Sequence, residues 1–170
     1  LAASRSHLYL WVPNALILEG LEVMRRWGFT YKTNLVWYKV RKDGGPDGRG
    51  VGFYFRNVTE ILLSGGGGPL RTRPPGRWQP NLRLSPTRVH SRKPDEHYEI
   101  IERCSPAPYL ELFARHPRRD WVQWGDEIPE PNHRGGFSAK MKRKGRTARP
   151  VPMPEVLTTD ELELWSSRAI

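Results

Sequence analysis

The feature that most constrains the fold is a strand, a helix and a second strand in succession near the start of the chain. The first strand is the aliphatic and aromatic run His7–Val12, and the second is Asn34–Val40. Between them, apolar residues at helical spacing predict a helix over Ala15–Trp27, with Asn14 as its N-cap and Gly28 just past its end. Such an order indicates a right-handed parallel βαβ unit and an α/β fold. The apolar face of this helix is predicted to be Leu18, Leu21, Met24 and Trp27.

The alternation of strands and helices continues along the chain. Val58–Ser64 predicts a third strand, Tyr109–Ala114 a fourth and Trp121–Trp124 a short fifth. The glycines Gly65–Gly68 open a proline-rich irregular stretch, which is typical of a functional or disordered loop. Pro94 predicts the first helical position of another helix, because proline suits that position. The apolar face of that helix is predicted to be Tyr98, Ile101 and Cys104.

Charge and cysteine content bound the class of protein. The formal net charge is +10 and the pI is about 10.2, which favours a polyanionic partner because neutralised phosphates release counterions. Nucleic acid is the first expectation, and a basic solvated surface is the alternative. Cys104 is the only cysteine, so no intramolecular disulfide can form and a cytoplasmic location is expected. The spacing of the histidines does not suit a metal site, so we expect no bound metal ion. No apolar run is long enough to span a membrane, so we expect no membrane-spanning segment.

The composition changes after Pro129, which predicts a domain boundary near residue 128. Residues 1–128 are expected to form the α/β domain, and residues 129–170 a basic tail. Within this tail, Arg134–Arg149 is rich in Lys and Arg and has no acidic residue, which predicts a disordered arm. Thr159–Glu163 then resembles a short capped helix.

Lys93 and Glu111 are the residues whose positions best indicate a ligand. Lys93 stands where a helix is predicted to begin, and its charge adds to that of the exposed helix N–H groups, which suits a carboxylate or phosphate. Glu111 stands inside the apolar run Tyr109–Phe113, where a buried carboxylate needs a partner. At the carboxyl end of a parallel strand, Glu111 can accept both hydroxyls of a ribose. The alternatives are an exposed loop lysine and an acid turned to solvent.

Other polar and aromatic residues are further candidates for contact with a ligand or with nucleic acid. Arg115 is placed to pair with Glu111 or to reach the ligand, and Phe113 to stack beside a base. Asp126 and Glu127 are candidates for contact with an adenine edge or a ribose, and surface acids are the alternative. The candidates for contacts with the phosphates or bases of nucleic acid are Arg56, Asn57 and Arg92.

Together and in this order, the motifs resemble the MT-A70 family of S-adenosylmethionine-dependent methyltransferases, which modify the exocyclic N(6) amine of adenine in DNA or RNA. The resemblance rests on the Trp-Val strand end at Val12, on the Gly52–Asn57 segment, on Ser91–Glu96 and on the Glu-Leu-Phe-x-Arg sequence that ends at Arg115. Bacterial and phage members are especially similar. The resemblance implies a Rossmann-like methyltransferase α/β sandwich, incomplete at its N-terminal edge. It also implies S-adenosylmethionine as cofactor and nucleic acid as substrate, with DNA favoured over RNA.

The resemblance further implies roles for the candidate residues. Lys93 would contact the methionyl carboxylate of the cofactor, and Glu111 would contact its ribose. Asp126 and Glu127 stand where the family usually has Asn and Gln near the adenine, so that contact is expected to differ here. The implied cofactor-binding residues are Lys93, Glu111, Phe113, Arg115, Asp126 and Glu127.

The catalytic motif of the family, Asp-Pro-Pro-Trp, occurs nowhere in these 170 residues. In the family it precedes the strand that corresponds to Leu8–Val12, and it holds the adenine amine. A truncated sequence, a motif on another polypeptide and a degenerate binding subunit would each explain the absence. We expect truncation, because Leu1 begins within the pattern, and we assign no catalytic residue. The expected function is adenine-N(6) methylation, and the alternative is a catalytically silent nucleic-acid-binding subunit.

Overall fold

A computed structural model describes residues 2–48, 52, 54–88, 92–125 and 127–128 of the chain. These residues form a mixed α/β protein and fall into two compact units, which divide after Ser105. The predicted tail and its terminal helix lie outside the described residues. The elements are β1 (Ser6–Val12), α1 (Ile17–Arg26), β2 (Thr30–Val40), β3 (Thr59–Gly67), α2 (Pro74–Arg77), β4 (Leu82–Pro86), α3 (Asp95–Cys104), β5 (Tyr109–Leu112) and β6 (Trp121–Trp124).

The first unit contains a four-stranded mixed sheet with the strand order β1-β3-β2-β4. β3 runs antiparallel to both β1 and β2, and β4 runs parallel to β2. Strands β1, β2 and β4 therefore point in one direction. The predicted parallel direction of β1 and β2 is confirmed, and β3 lies between these two strands and pairs with both.

The glycines after Ser64 belong to a strand, so the predicted irregular stretch at Gly65–Gly68 is wrong for its first three residues. β3 continues to Gly67, and Gly65 pairs with Leu8 and Tyr31. A Cβ atom on Gly65 would lie 2.3 Å from Cε of Met24 and 2.8 Å from the Thr30 carbonyl oxygen. Glycine is required there because the neighbouring atoms leave no room for a side chain.

Helix α1 packs one face against the sheet and forms the main core. Val12, Met24 and Leu63 are fully buried and contact one another. Gly20 brings the helix close to β1, since a Cβ atom there would lie 2.6 Å from a methyl group of Val12. Leu18 was predicted to be on the buried face but is 79% exposed. The apolar residues that pack around the core are Leu8, Leu10, Leu16, Leu21, Phe29 and Ile61.

The two ends of α1 differ from each other in how they are capped. Asn14 was predicted to be the N-cap, but it begins a single 3-10 turn that precedes the helix. Its amide instead donates to the hydroxyl of Thr59 at 3.0 Å. At the other end, Gly28 has the left-handed φ of +79° and donates to the Arg25 carbonyl at 3.0 Å, which confirms the predicted C-terminal glycine.

Two elements were missed, and one helix face was only partly anticipated. β4 and the short α2 interrupt the stretch that was expected to be irregular. In β4 the leucines face solvent while Ser85 is buried, which is the reverse of the usual strand pattern. α3 begins at Asp95, one residue after the expected start at Pro94. Its buried residues are His97, Ile100, Ile101 and Cys104.

The second unit contains a parallel pair of strands, β5 and β6. β6 has the predicted bounds, whereas β5 ends at Leu112, two residues earlier than expected. Phe113 has a φ of +62°, which lies outside the strand region and turns the chain away. Glu111 and Gln123 are directly paired across the two strands.

Candidate functional site

The carboxyl ends of β1, β2 and β4 lie at the same edge of the sheet, because these strands run in the same direction. β3 begins at this edge, so Glu60 pairs with Trp37 of β2. Open α/β sheets bind ligands beyond the carboxyl ends of their parallel strands. The residues that meet here are named the edge cluster, and they are Trp11, Trp37, Lys39, Glu60 and Lys93.

Glu60 lies between two lysines in the edge cluster. Lys39 Nζ is 2.5 Å from Glu60 Oε1, and Lys93 Nζ pairs with Glu60 Oε2. The three side chains are 20–28% exposed, so water screens their charges only in part. Two cations against one anion leave this group with a net positive charge.

Burial raises the pKa of the Glu60 carboxyl, but the charge of Lys93 and the hydrogen bond from Lys39 outweigh burial, so the net pKa is lowered. Glu60 is therefore an anion at neutral pH. Neither Glu60 nor Lys39 was predicted as a site residue from the sequence. The signal that found Glu111 was also present at Glu60, which is an acid at the start of the apolar run of β3.

Two tryptophan rings support the lysine ammonium groups of the edge cluster. Lys93 Nζ lies 5.0 Å from the centre of the Trp11 ring, and Lys39 Nζ lies 5.1 Å from that of Trp37. The two rings meet edge to face, with centres 6.4 Å apart. Each cation therefore has both an ionic partner and an aromatic face, which restricts where its ammonium group can lie.

His97 packs against both tryptophans and is almost completely buried. It is 1% exposed, and its ring centre lies 5.0 Å from that of Trp11 and 6.4 Å from that of Trp37. Neither ring nitrogen has a hydrogen-bond partner among the described residues. The pKa of His97 is lowered from 6.5 to about 4. Burial is the largest cause, and the charges of Arg83 and Lys93 act in the same direction, against the opposing charges of Glu96 and Glu60. His97 is thus neutral at physiological pH.

A cationic pocket opens beside the edge cluster. Arg88 donates to Asp95 at 2.7 Å and to Glu96 at 3.1 Å, and Arg92 pairs with Asp95 at 3.4 Å. These contacts place both guanidinium groups at the start of α3. The pocket is lined by Trp37, Lys39, Glu60, Thr87, Arg88, Arg92 and Lys93. Four of its seven lining side chains are cationic, and they are paired with three carboxylates, so the group keeps a net positive charge that favours an anionic ligand.

Two further candidates for nucleic-acid contact precede β3. Arg56 and Asn57 are both exposed. Arg56 donates to the carbonyl of Gly48 at 3.0 Å, and Asn57 accepts a long hydrogen bond of 3.4 Å from Asn14. Their contact with nucleic acid remains a prediction.

In the second unit, Glu111 is half-buried and accepts a hydrogen bond of 2.6 Å from Gln123. Arg115 and Glu127 are exposed and lie 3.6 Å apart as an ion pair. Phe113 is 69% exposed, so its ring can meet a ligand. Asp126 lies outside the described residues.

The structure thus describes Lys93 in the first unit and the other candidates for cofactor contact in the second. The resemblance implies that Lys93, Glu111 and Arg115 bind the same cofactor, and this remains a prediction. Across the described ranges, no group of three or more His, Cys, Asp or Glu side chains is arranged to hold a metal ion. None of the helices in those ranges is long and apolar enough to cross a membrane.

Comparison with known proteins shows which family these features belong to. The family model described as MT-A70 matches residues 1–127. A putative N(6)-adenosine-methyltransferase MT-A70-like protein from Medicago truncatula is 31% identical over 126 residues, which cover 71% of this chain and 20% of the relative. The type II methyltransferase M.MunI from Mycoplasma sp is 30% identical over 125 residues, which cover 72% of this chain and 51% of the relative.

The human N(6)-adenosine-methyltransferase catalytic subunit METTL3 is 29% identical over 128 residues, 71% of this chain and 21% of the relative. The chain therefore spans about a fifth to a half of the length of these relatives. The family match includes the edge cluster of the first unit and both strands of the second. This chain belongs to the MT-A70 family of methyltransferases.

Proposed function

We propose that the chain is the cofactor-binding part of an S-adenosylmethionine-dependent methyltransferase that acts on the exocyclic amine of adenine in nucleic acid. We also propose that its fold is a Rossmann-like methyltransferase sandwich. DNA is the favoured substrate, because the sequence motifs resemble those of bacterial and phage members. A cytoplasmic location remains an expectation from the cysteine content.

The edge cluster carries the proposal. Lys93 has three N–H groups, of which the contact with Glu60 Oε2 uses one. Glu60 also pairs with Lys39, so a single carboxylate is shared between two ammonium groups. A second carboxylate, such as that of a methionyl group, would restore charge balance at this position. An anionic ligand is therefore favoured on electrostatic grounds at an edge of the sheet where such ligands bind.

The candidate residues of the second unit suit the ribose and adenine of S-adenosylmethionine. By family resemblance, the carboxylate of Glu111 accepts hydrogen bonds from the ribose, Arg115 lies on the same side and Phe113 forms a wall of the pocket. Glu127, with Asp126, is proposed to lie near the adenine. When bound, the cofactor would supply the methyl group, while the residues of this chain bind and orient it.

Nucleic acid is the proposed partner because of the net charge of +10 and because Arg92 lies in the cationic pocket, where phosphate is a suitable ligand. Arg56 and Asn57 are proposed to extend this contact. The second candidate function is a catalytically silent nucleic-acid-binding subunit, which is one of the explanations for the absence of Asp-Pro-Pro-Trp from the 170 residues. We therefore expect this chain alone to transfer no methyl group to adenine.

Calorimetric titration of the chain with S-adenosylmethionine tests the proposal. Lys93→Ala is expected to weaken binding by about tenfold or more, which corresponds to the loss of a charge-assisted hydrogen bond. Lys32→Ala is the matched control, because Lys32 is an exposed lysine of the same sheet and lies near the start of β2, away from the edge cluster. Its affinity is expected to stay within about twofold of wild type, as for a surface substitution.

Equal affinities of wild type and Lys93→Ala would contradict the cofactor role of Lys93. The silent subunit would be supported if the chain does not bind S-adenosylmethionine but binds nucleic acid with an affinity that falls steeply as salt increases.

A further inference from the structure

The side chain of Gln123 is buried and uses all its hydrogen-bonding groups within the second unit. Gln123 is 8% exposed. Its Oε1 accepts from the Arg118 N–H at 2.5 Å, and its Nε2 donates to Glu111 Oε2 at 2.6 Å and to the His116 carbonyl at 2.9 Å. A glutamine amide has two N–H groups and one carbonyl oxygen, so these three partners match it in number and kind.

Only one orientation of the amide satisfies these partners. If Oε1 and Nε2 were exchanged, the oxygen would face the Glu111 carboxylate and the His116 carbonyl, both of which are acceptors. The nitrogen would then face the Arg118 N–H, which is a donor. Three favourable contacts would become three repulsive ones. The Gln123 side chain is therefore fixed, and with it the carboxylate that it contacts.

The backbone around Gln123 is equally constrained. The turn that leaves β5 is closed by a hydrogen bond of 2.8 Å from the Ala114 N–H to the Trp124 carbonyl. A Cβ atom on Gly125 would lie 1.8 Å from the Ala114 carbonyl oxygen, so only glycine allows this approach. Glu111 and Gln123 are register partners, which directs their side chains to the same face of the strand pair. The backbone that follows β5, at His116 and Arg118, and the carboxylate of Glu111 are therefore both hydrogen-bonded to Gln123.

We infer that Gln123 is a positioning residue, which holds the carboxylate of Glu111 in the orientation that a ribose requires. The inference rests on the proposed cofactor role of Glu111. A site that is ordered before the ligand arrives loses less conformational entropy on binding. Glutamine suits this position because its amide donates to Glu111 while its oxygen holds the turn.

The substitution Gln123→Glu separates the two tasks of the side chain. The introduced carboxylate keeps an acceptor for the Arg118 N–H, but it offers no donor to Glu111 and adds a like charge beside it. Two carboxylates at this distance retain a shared proton to a pH above the usual range for glutamate. When that proton is present, the introduced group can again donate to Glu111. Gln123→Met, which loses all three hydrogen bonds and does not titrate, is the matched control.

Calorimetry with S-adenosylmethionine at pH 8 and pH 5.5 is the test, with the affinity of each variant divided by that of wild type at the same pH. For Gln123→Glu we expect binding about 10-fold to 100-fold weaker at pH 8, and a deficit at least threefold smaller at pH 5.5. For Gln123→Met we expect the same deficit at both pH values. A Gln123→Glu deficit that is absent, or that does not change with pH, would overturn the positioning role.

Two further variants separate this inference from the proposed function. If Glu111→Gln binds the cofactor like wild type, the ribose role of Glu111 is wrong, and the inference is wrong with it. If Glu111→Gln weakens binding but Gln123→Glu does not, only the inference is overturned. The double exchange of Glu111→Gln with Gln123→Glu is expected to recover part of the melting temperature that Gln123→Glu loses, because an amide again faces a carboxylate. If the double exchange recovers none of the melting temperature, the contact between Glu111 and Gln123 is wrong, and this result is obtained in the absence of cofactor.

Discussion

Acidification is expected to destabilise the fold through His97. Its folded pKa is about 4, whereas an unperturbed histidine has a pKa near 6.5. As the pH falls below 6.5, His97 is protonated in the unfolded chain, whereas the buried ring of the folded chain stays neutral. The contribution of the neutral His97 to the free energy of unfolding is therefore fully present above about pH 6.5, and it decreases as the pH falls to about 4. The difference in pKa corresponds to about 2 kcal/mol of lost stability between pH 7 and pH 5.

The environment of His97 explains why its ring resists protonation. Trp11 and Trp37 enclose the ring, and neither nitrogen has a described partner that would stabilise an added proton. The charged groups that act on the ring oppose one another. Arg83 and Lys93 lower its pKa, while Glu96 and Glu60 raise it. Burial is the largest contribution to the shift, so the destabilisation should persist at high salt.

Urea unfolding monitored by tryptophan fluorescence at pH 7, 6 and 5 measures this effect. Wild type is expected to lose about 2 kcal/mol more than His97→Phe over this range, because phenylalanine retains the aromatic contacts and does not titrate. His116→Phe, at an exposed position, is the control and is expected to follow wild type. Equal losses in wild type and His97→Phe would refute the assignment of this pH dependence to His97.

Two other substitutions test the electrostatics of the chain. Glu60→Gln removes the shared counter-ion of Lys39 and Lys93 and is expected to destabilise the fold by about 1–3 kcal/mol in urea unfolding at low salt, with part of the loss recovered at high salt. Glu22→Gln, on the exposed face of α1, is its control, and an equal effect of both would contradict the role of Glu60. Truncation after Ile128 is expected to lower nucleic-acid affinity and to flatten its salt dependence without unfolding the domain, since the basic tail can meet phosphates without a packed surface. Loss of the folded state in a melting curve would show that the tail belongs to the core.

Local pattern predicted the strands and helices that bury apolar residues, and it failed where burial is inverted. Strands β1, β2, β3 and β6 were found because their aliphatic and aromatic residues are contiguous. β4 was missed because Leu82 and Leu84 face solvent, and because the residues that alternate with them, Arg83 and Ser85, are polar like those of a loop. The position of β3 between β1 and β2 depends on pairing between distant residues, which neither period nor propensity encodes.

The candidate site shows the same division between local and long-range information. Lys93 could be found because a helix start is visible in the sequence as proline followed by two acids. Its contact with Glu60 could not, because the two residues are 33 positions apart and meet only through the sheet. Glu111 could be predicted because it is an acid within an apolar run. Its partner Gln123 could not, because a neutral polar residue in a short strand gives no sequence signal of a site.

Glu60 and Glu111 show how one sequence signal acquires two physical meanings. Each is an acid in an apolar strand, and each is half-buried with a nitrogen donor in contact. Glu60 is paired with two full positive charges, which lower its pKa, so it serves as a counter-ion whose removal should unbalance the cluster. Glu111 accepts a hydrogen bond from the neutral amide of Gln123, which orients its carboxylate. A carboxylate oriented in this way is placed to accept hydrogen bonds, so of the two acids we propose Glu111 for the contact with a ribose.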